Sequence, residues 1–597
     1  MEKIEVRKSK TLGRNVVRVL ALIVREDPLF LYVAIPASAA ATLLGYAVTW
    51  ISALFINKIT SSHFDSIFDA RILWLVLAYI FIPFIIDQLR QWYNHRYAQF
   101  YNKISQYIDI LFLRTQERID VQTHEDSVFA NMRAEANANQ HKVFNFAQAI
   151  FGMTTSGVAV LVSIIILAQY NALLTFFIII AFIPQLFGQA REGKRIWAIW
   201  GGRVELRRKF NEYSGYFVDT PNLTEMKIMS AADHWIALIQ EVLSIFNTEI
   251  RSAESHRYYV QVLGGLCSIT AIAVVTFVLM KSVVAGTLAI GTFIFLESQI
   301  LAVQSQVSNA VFSLAGILSD NLFISNIFAY LDTPNVLKDG TENVAPGAPR
   351  ITFKDVSFRY PGSDTDVLHS VSLSIEKGEK VAIVGVNGAG KTTFSKLLMR
   401  FYDPTGGSVE IDGLSLTQAR LNSWHAHIGY LSQEYAKYRL PVAQAIAVGN
   451  PTIPFSQERV EEAARRAGAD TFIEEWVEKY KTPLGRQFDG VEPSVGQWQK
   501  LALARLFYKD PDIWILDEPT SSIDAVAELE IFRELENLPK DKTVILISHR
   551  FNTVRNADKI IVIGHGTIEE IGSHDELMTH NGTYANLFTT QKESYDS

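Results

Sequence analysis

Two segments of this chain carry the residue types and spacing needed for phosphate chemistry. Gly385, Val386, Asn387, Gly388, Ala389, Gly390, Lys391 and Thr392 fit the G-x-x-x-x-G-K-[ST] pattern, whose consecutive backbone N–H groups surround phosphates. In that pattern Lys391 reaches the terminal phosphates and the Thr392 hydroxyl binds Mg²⁺. Well downstream, the apolar run Ile513 to Leu516 ends in Asp517 and Glu518. Asp517 is placed to hold Mg²⁺ or its water shell, and Glu518 to act as base or orienter of an attacking water. Together they read as the two halves of a nucleotide-hydrolysing site. A glycine turn with a surface lysine, or an acidic pair in a loop, is unremarkable alone; the conjunction at domain-scale distance is not.

Such a site needs elements to hold it. Lys380 to Val384 reads as a short buried strand feeding the loop, and Thr393 to Phe401 as a helix whose positive N-terminal end faces the phosphates. With these motifs in place, residues from about Arg350 to Gln591 resemble the cassette of the ATP-binding cassette (ABC) transporters. The closest type is the exporter half-transporter, with six membrane helices ahead of one cassette, similar to bacterial peptide and lipid exporters. The resemblance implies ATP and Mg²⁺ as cofactors. It assigns nucleotide contacts to Gly385 through Thr393 and Mg²⁺ to Thr392, Gln433 and Asp517. It also implies that Tyr360 in Phe-Arg-Tyr-Pro stacks on adenine and that Gln433 links the Mg²⁺ site to the membrane domain. By the same likeness His549 senses the γ-phosphate, Asp524 lies in the loop crossing a cassette dimer, and Glu518 is the hydrolytic carboxylate. The signature segment departs from the usual Leu-Ser-Gly-Gly-Gln: here it reads Pro493, Ser494, Val495, Gly496, Gln497. Ser494, Gly496 and Gln497 are retained for the γ-phosphate of an opposite subunit, and a branched side chain replaces one close-approach glycine.

At 597 residues, with 49% hydrophobic and 20% charged residues, the chain is too long for one domain. Its charges are unevenly spread. None occurs from Pro28 to Asn57 or from Val143 to Ala190, the second run being long enough for two spans of about 20 residues broken at Tyr170-Asn171. Spans are expected near 28–57, 71–95, 145–169, 172–191, 259–281 and 288–312. The expected fold is an N-terminal all-α polytopic membrane domain, six transmembrane helices with long cytosolic extensions, followed by a C-terminal α/β P-loop cassette. The boundaries are 1–27 for a cytosolic N-terminus, 28–330 for the membrane domain, 331–349 for a linker and 350–597 for the cassette. Lysine and arginine crowd the first 27 residues and the segments Tyr93–Lys142 and Arg191–Arg257, whereas the alternate loops near Ser61, Tyr170 and Ser282 are short and nearly uncharged. That places both termini and the cassette in the cytosol, and the family likeness puts the chain in a bacterial inner membrane. No small-residue cleavage site follows the first apolar run, so the start does not read as a signal peptide. Asn15 to Val24 reads as an amphipathic helix along the membrane surface. The single cysteine, Cys267, reads as a small core residue.

The two long charged segments imply, by the family likeness, membrane helices extended into the cytosol and joined by transverse helices near Thr123–Asn131 and Asn222–Met229. Glu297 interrupts the last span and is expected to face the translocation path, although a place near the outer water interface is the competing reading. A net charge of −7 gives no sign of nucleic-acid binding. With one cassette per chain, two chains must associate, as a homodimer or with a related half-transporter. The expected function is ATP-driven export of an amphipathic peptide, lipid or drug-like cargo by alternating access. The alternatives are a lipid flippase and a membrane-anchored regulatory ATPase that transports nothing.

Overall fold

The computed structural model describes residues 12–61, 70–184, 204–518, 531, 533–548 and 554–596. Contacts divide them into two compact units, one covering residues 12–118 and 127–333, the other 119–126 and 334–596.

The first unit is helical because its sequence offers long uncharged stretches whose backbone polar groups must be satisfied within the segment. Five helices among the described residues are long and apolar enough to cross a membrane: Phe30–Thr60, Ile72–Arg118, Lys142–Tyr170, Ala232–Val284 and Ile290–Leu331. A shorter apolar helix covers Ala172–Pro184, and the rest of the expected fourth span lies outside the described residues. Large apolar side chains such as Trp74, Leu161 and Phe277 stay more than half exposed on these helices, as lipid-facing residues do. Helix Ile290–Leu331 is the spine, packing along Lys142–Tyr170 and Phe30–Thr60.

Inside that packing lies a polar cluster the sequence did not announce. Gln299 is buried, with Ser163 3.4 Å from its Oε1 and Thr49 3.3 Å from its Nε2, and Tyr46 Oη is 3.0 Å from Ser163. Glu297, two residues earlier, is half-buried about two turns from the start of its helix at Ile290. Cys267 is exposed on its helix, so it is not the core residue expected. The N-terminal helix, Leu12–Glu26, buries Val19 and Ile23 against helices of the same unit and leaves Val17 and Val24 exposed. Asn15 Nδ2 donates to Asn321 Oδ1 and Ser325 Oγ, which fixes the helix in place.

The second unit is an α/β cassette. Strands β1 (Ile351–Phe358), β2 (Leu368–Ile375), β4 (Gly406–Ile411) and β5 (Leu414–Ser415) form an antiparallel sheet in the order β2-β1-β4-β5, while β3 is Lys380–Val384. A second sheet has the order β10-β9-β3-β8-β7-β6, from β6 (Ile428–Leu431), β7 (Ile513–Asp517), β8 (Thr543–Ile547), β9 (Lys559–Gly564) and β10 (Thr567–Gly572). Its strands β9, β3, β8, β7 and β6 are mutually parallel, with β7 and β8 buried along their whole length, as continuous Ile/Leu/Val runs require. Residues 334–350 are not a loose tether. Val344 N donates to Ser423 Oγ at 2.8 Å, Arg420 N donates to the Glu342 carbonyl at 2.7 Å, and Leu337 is buried.

A short helix, Val121–Glu125, belongs to this unit. Asp120 caps it by accepting from Thr123 N at 2.8 Å and also accepts the N–H groups of Val336 and Leu337. The transverse piece expected at Thr123–Asn131 is therefore shorter and begins earlier, because Asp126 turns extended and ends it before the helix Ser127–Asn139. In the helical unit its counterpart spans Thr220–Ile228, capped by Asp219, close to the expected Asn222–Met229.

Candidate functional site

The site forms at one edge of the parallel sheet, where strand ends meet. In the order β3-β8-β7-β6, Ile383 pairs with Ile547, Ile547 with Asp517, and Leu516 with Leu431. The segments that follow these strands, starting at Gly385, Ser548, Glu518 and Ser432, therefore leave the sheet side by side. A crevice outside the carboxyl ends of parallel strands is the usual place for a ligand in such folds.

The phosphate loop takes its path from glycines. Gly385 has φ +155° and a Cβ there would lie 2.1 Å from the Ile563 carbonyl oxygen; Gly390 has φ +106° and a Cβ would strike Leu368. The loop ends in helix Lys391–Leu398, which starts earlier and stops sooner than the sequence suggested, since Arg400 turns left-handed. The Arg400 guanidinium is buried and donates to the carbonyls of Lys338 and Ala419, tying that turn to the chain ahead of the cassette. Lys391 is buried too, its ammonium donating to the carbonyls of Gly385 (2.8 Å) and Val386 (3.0 Å). Burial lowers its pKa, while the charges of Glu518 and Asp517 oppose that shift. Thr392 and the tip residues Val386, Asn387 and Gly388 are exposed, whereas Ala389 and Thr393 are buried.

Asp517 is the last residue of β7 and is buried; burial, and then the neighbouring charge of Glu518, push its carboxyl up to about 6 against the opposing Lys391 ammonium. Glu518 has φ +50°, a left-handed conformation that a non-glycine residue adopts only when its surroundings impose it. Its N–H donates to the Ile547 carbonyl at 2.9 Å, which ties the turn to β8. Gln433 is exposed two residues beyond β6, on the same edge. A hydroxyl (Thr392), an amide oxygen (Gln433) and a buried carboxylate (Asp517) form a hard-oxygen donor set that suits Mg²⁺. No cluster of three or more His, Cys, Asp or Glu side chains competes for a metal among the described residues.

A raised carboxyl pKa means the charged form is the less favoured one in the folded state. The penalty is full above about pH 6 and vanishes as pH falls below the ordinary 3.8. Asp517→Asn should therefore stabilise the nucleotide-free protein at pH 7.5 by on the order of 1–3 kcal/mol, with the gain shrinking at pH 5. A thermal unfolding series across that pH range checks it; equal gains at both ends would contradict the assignment.

Tyr360 sits beside the loop helix, its hydroxyl 3.1 Å from Thr393 Oγ1 and its ring edge-on to Phe358 and Tyr402. Lys396, one turn further along that helix, lies 5.6 Å from the Tyr360 ring centroid and donates to both carboxylate oxygens of Glu125, at 2.8 and 3.0 Å. Tyr402 also donates to Glu125. Its hydroxyl is pushed far above its usual pKa by burial and then by that carboxylate, while the Glu125 pKa is lowered by its bonds to Lys396 and Tyr402 against an opposing burial effect. The short helix Val121–Glu125 is thus joined by an ion pair to the helix that carries the phosphate loop. Sequence reading missed Glu125, since one acid in a charged segment has no distinguishing pattern.

The signature segment forms the start of helix Val495–Lys509. Ser494 and Gln497 make a reciprocal capping box, Ser494 Oγ accepting from Gln497 N at 3.2 Å and Gln497 Oε1 accepting from Ser494 N at 2.9 Å. No hydrogen bond links Ser494, Gly496 or Gln497 to the phosphate loop among the described residues. Pro493 is buried, but Val495 is 55% exposed, and its carbonyl accepts from Tyr435 Oη at 2.8 Å. With more than half of the residue exposed, the valine is not packed into its own cassette. Val495→Gly should leave the ATP concentration for half-maximal cassette closure unchanged while costing about 0.5–1 kcal/mol of stability. A tighter midpoint would show that the valine does obstruct.

Gln499, unmarked in the sequence, is buried on the same helix with its Nε2 3.4 Å from the Glu518 carbonyl oxygen. His549 and Asp524 lie outside the described residues.

Residues 368–521 match the family model "ABC transporter". The chain is 27% identical over 540 residues to the subtilin transport ATP-binding protein SpaT of Bacillus subtilis, covering 89% of this chain and 86% of that protein. It is 36% identical over 331 residues to an ATP-dependent lipid A-core flippase of Alkalilimnicola ehrlichii, covering 55% of this chain and 56% of that protein. Its fold superposes on a bacterial Atm1-family ABC exporter with ATP bound, with a TM-score of 0.78 and 22% identity over 98% of this chain and 99% of the other.

Proposed function

We propose that this chain, which its cassette places in the ABC transporter family, is one half of a homodimeric, ATP-driven exporter of amphipathic cargo. It is an integral membrane protein with an ATP-binding cassette and the exporter fold. The observation that carries the reading is the meeting of the phosphate loop, Asp517 and Glu518 at one sheet edge, with Lys396 of the loop helix paired to Glu125.

In this reading ATP binds along Gly385–Thr393 with its adenine on Tyr360. Thr392, Gln433 and Asp517 would hold Mg²⁺, which would supply neutralisation of charge on the phosphates. Ser494 and the following N–H groups of a second copy complete each site. Glu518 orients the attacking water. The Lys396–Glu125 pair carries movement of the loop helix to the short helix Val121–Glu125, and alternation between inward- and outward-open states moves the cargo. The lysine and arginine pattern supports cytosolic termini in a bacterial inner membrane.

For cargo, the subtilin transporter supports an amphipathic peptide and the lipid A-core flippase supports a lipid. The peptide is preferred because that likeness runs along most of both chains. Glu297 remains the proposed polar contact on the path. ATPase activity of the reconstituted protein across a panel of amphipathic peptides, lipids and drugs tests the choice: stimulation by lipids alone would favour the flippase, and indifference to all would favour a regulatory ATPase.

A further inference from the structure

A cavity lined by charged residues lies in the helical unit. Its volume is about 520 Å³, between the N-terminal helix, the far end of helix Ile72–Arg118 and the end of helix Ile290–Leu331. Arg18, Arg25, Arg114 and Arg118 line it, against a single carboxylate, Asp332. The spacing explains the convergence. Positions 18 and 25 lie two turns apart on one face of the N-terminal helix, and 114 and 118 one turn apart on one face of its partner.

These guanidiniums differ in how far they are satisfied. Arg18 is neutralised by a two-pronged pair with Asp332 (2.7 and 2.8 Å) and lies 3.8 Å over the Phe328 ring. Arg118 donates one N–H to the Leu331 carbonyl at 3.1 Å, and Arg25 has Glu26 at 3.8 Å. Among the described residues Arg114 has no carboxylate partner within ion-pair distance. Like charges at i and i+4 are unfavourable on a helix unless something offsets them, and planar guanidinium forks match phosphate oxygens two at a time. Leu22, Leu111 and Tyr107 supply an apolar and aromatic wall beside the charges.

A lipid headgroup and a soluble organic phosphate would present the same oxygens to these arginines, and the N-terminal helix leads directly into the span that starts at Phe30, whose ring stacks on Phe100 at 4.0 Å. We propose that this cavity binds an amphipathic phosphate ester, with its phosphate oxygens on Arg114 and Arg118 and its non-polar body against Tyr107 and Leu111. The site is separate from the phosphate loop and does not depend on the export reading.

The test uses the full chain in zwitterionic nanodiscs, with 1-naphthyl phosphate as probe and 1-naphthol as its uncharged counterpart, read by the probe's fluorescence. The probe should bind, and Arg114→Gln/Arg118→Gln should weaken it by at least about tenfold. Lys391→Ala should leave binding unchanged, and 1-naphthol should bind much less. Ala21→Phe, which fills the cavity from an exposed lining position, should also weaken binding and guards against misfolding of the arginine variants. Equal affinity in all variants, loss confined to Lys391→Ala, or equal binding of 1-naphthol would each overturn the assignment; displacement of the probe by phosphatidylglycerol in the disc would support it with a lipid headgroup as the source, and no displacement would support it with a soluble phosphate.

Discussion

Glu518→Gln should slow ATP turnover by about two orders of magnitude or more, the range of a lost general base, while ATP still binds. The carboxylate stands one residue past the end of β7, in a left-handed turn fixed by its N–H bond to the Ile547 carbonyl and by Gln499 against its own carbonyl. Glutamine keeps that geometry and removes only the ability to take a proton, so closed dimers should accumulate with ATP. Electron microscopy or cross-linking of the ATP-bound variant reports closure, and steady-state phosphate release reports turnover. Near-parental turnover would remove Glu518 from the role.

Lys391→Ala acts on the preceding step. The ammonium is buried, and it both braces the carbonyls of Gly385 and Val386 and offsets the charges of Asp517 and Glu518. Removing it leaves two neighbouring carboxylates without their cation and takes a charge-assisted bond from the phosphates. Nucleotide affinity should fall by roughly 10- to 100-fold, the equivalent of one or two such bonds. Equilibrium binding of a fluorescent ATP analogue measures it. Intact affinity with slow turnover would move Lys391 from binding to the chemical step.

These two residues were legible in the sequence because local patterns encode them: glycines dictate a loop path, and an apolar run ending in acids marks a strand end. The apolar runs were legible for the same reason, since hydrocarbon demands uncharged residues over a fixed length. What escaped notice depends on contacts between distant positions. Glu125 and Lys396 meet across 271 residues, and Arg18 meets Asp332 across 314. Neither pairing leaves a local signature. The N-terminal helix shows the limit in the other direction: its amphipathic pattern correctly marked an apolar face, but the pattern alone does not say whether lipid or protein covers it. The exposed Val495 and Cys267 make the same point for single side chains, whose orientation is set by packing.

The central claim, that ATP hydrolysis at this edge drives cargo through the helical unit, is tested most directly in liposomes loaded with the purified protein. The measurement is uptake of a labelled amphipathic peptide into vesicles whose cassettes face outward, with a labelled lipid run in parallel. The account predicts accumulation that requires Mg²⁺ and ATP and is lost in Glu518→Gln. Steady ATP hydrolysis by the parent protein with no movement of peptide or lipid would contradict it.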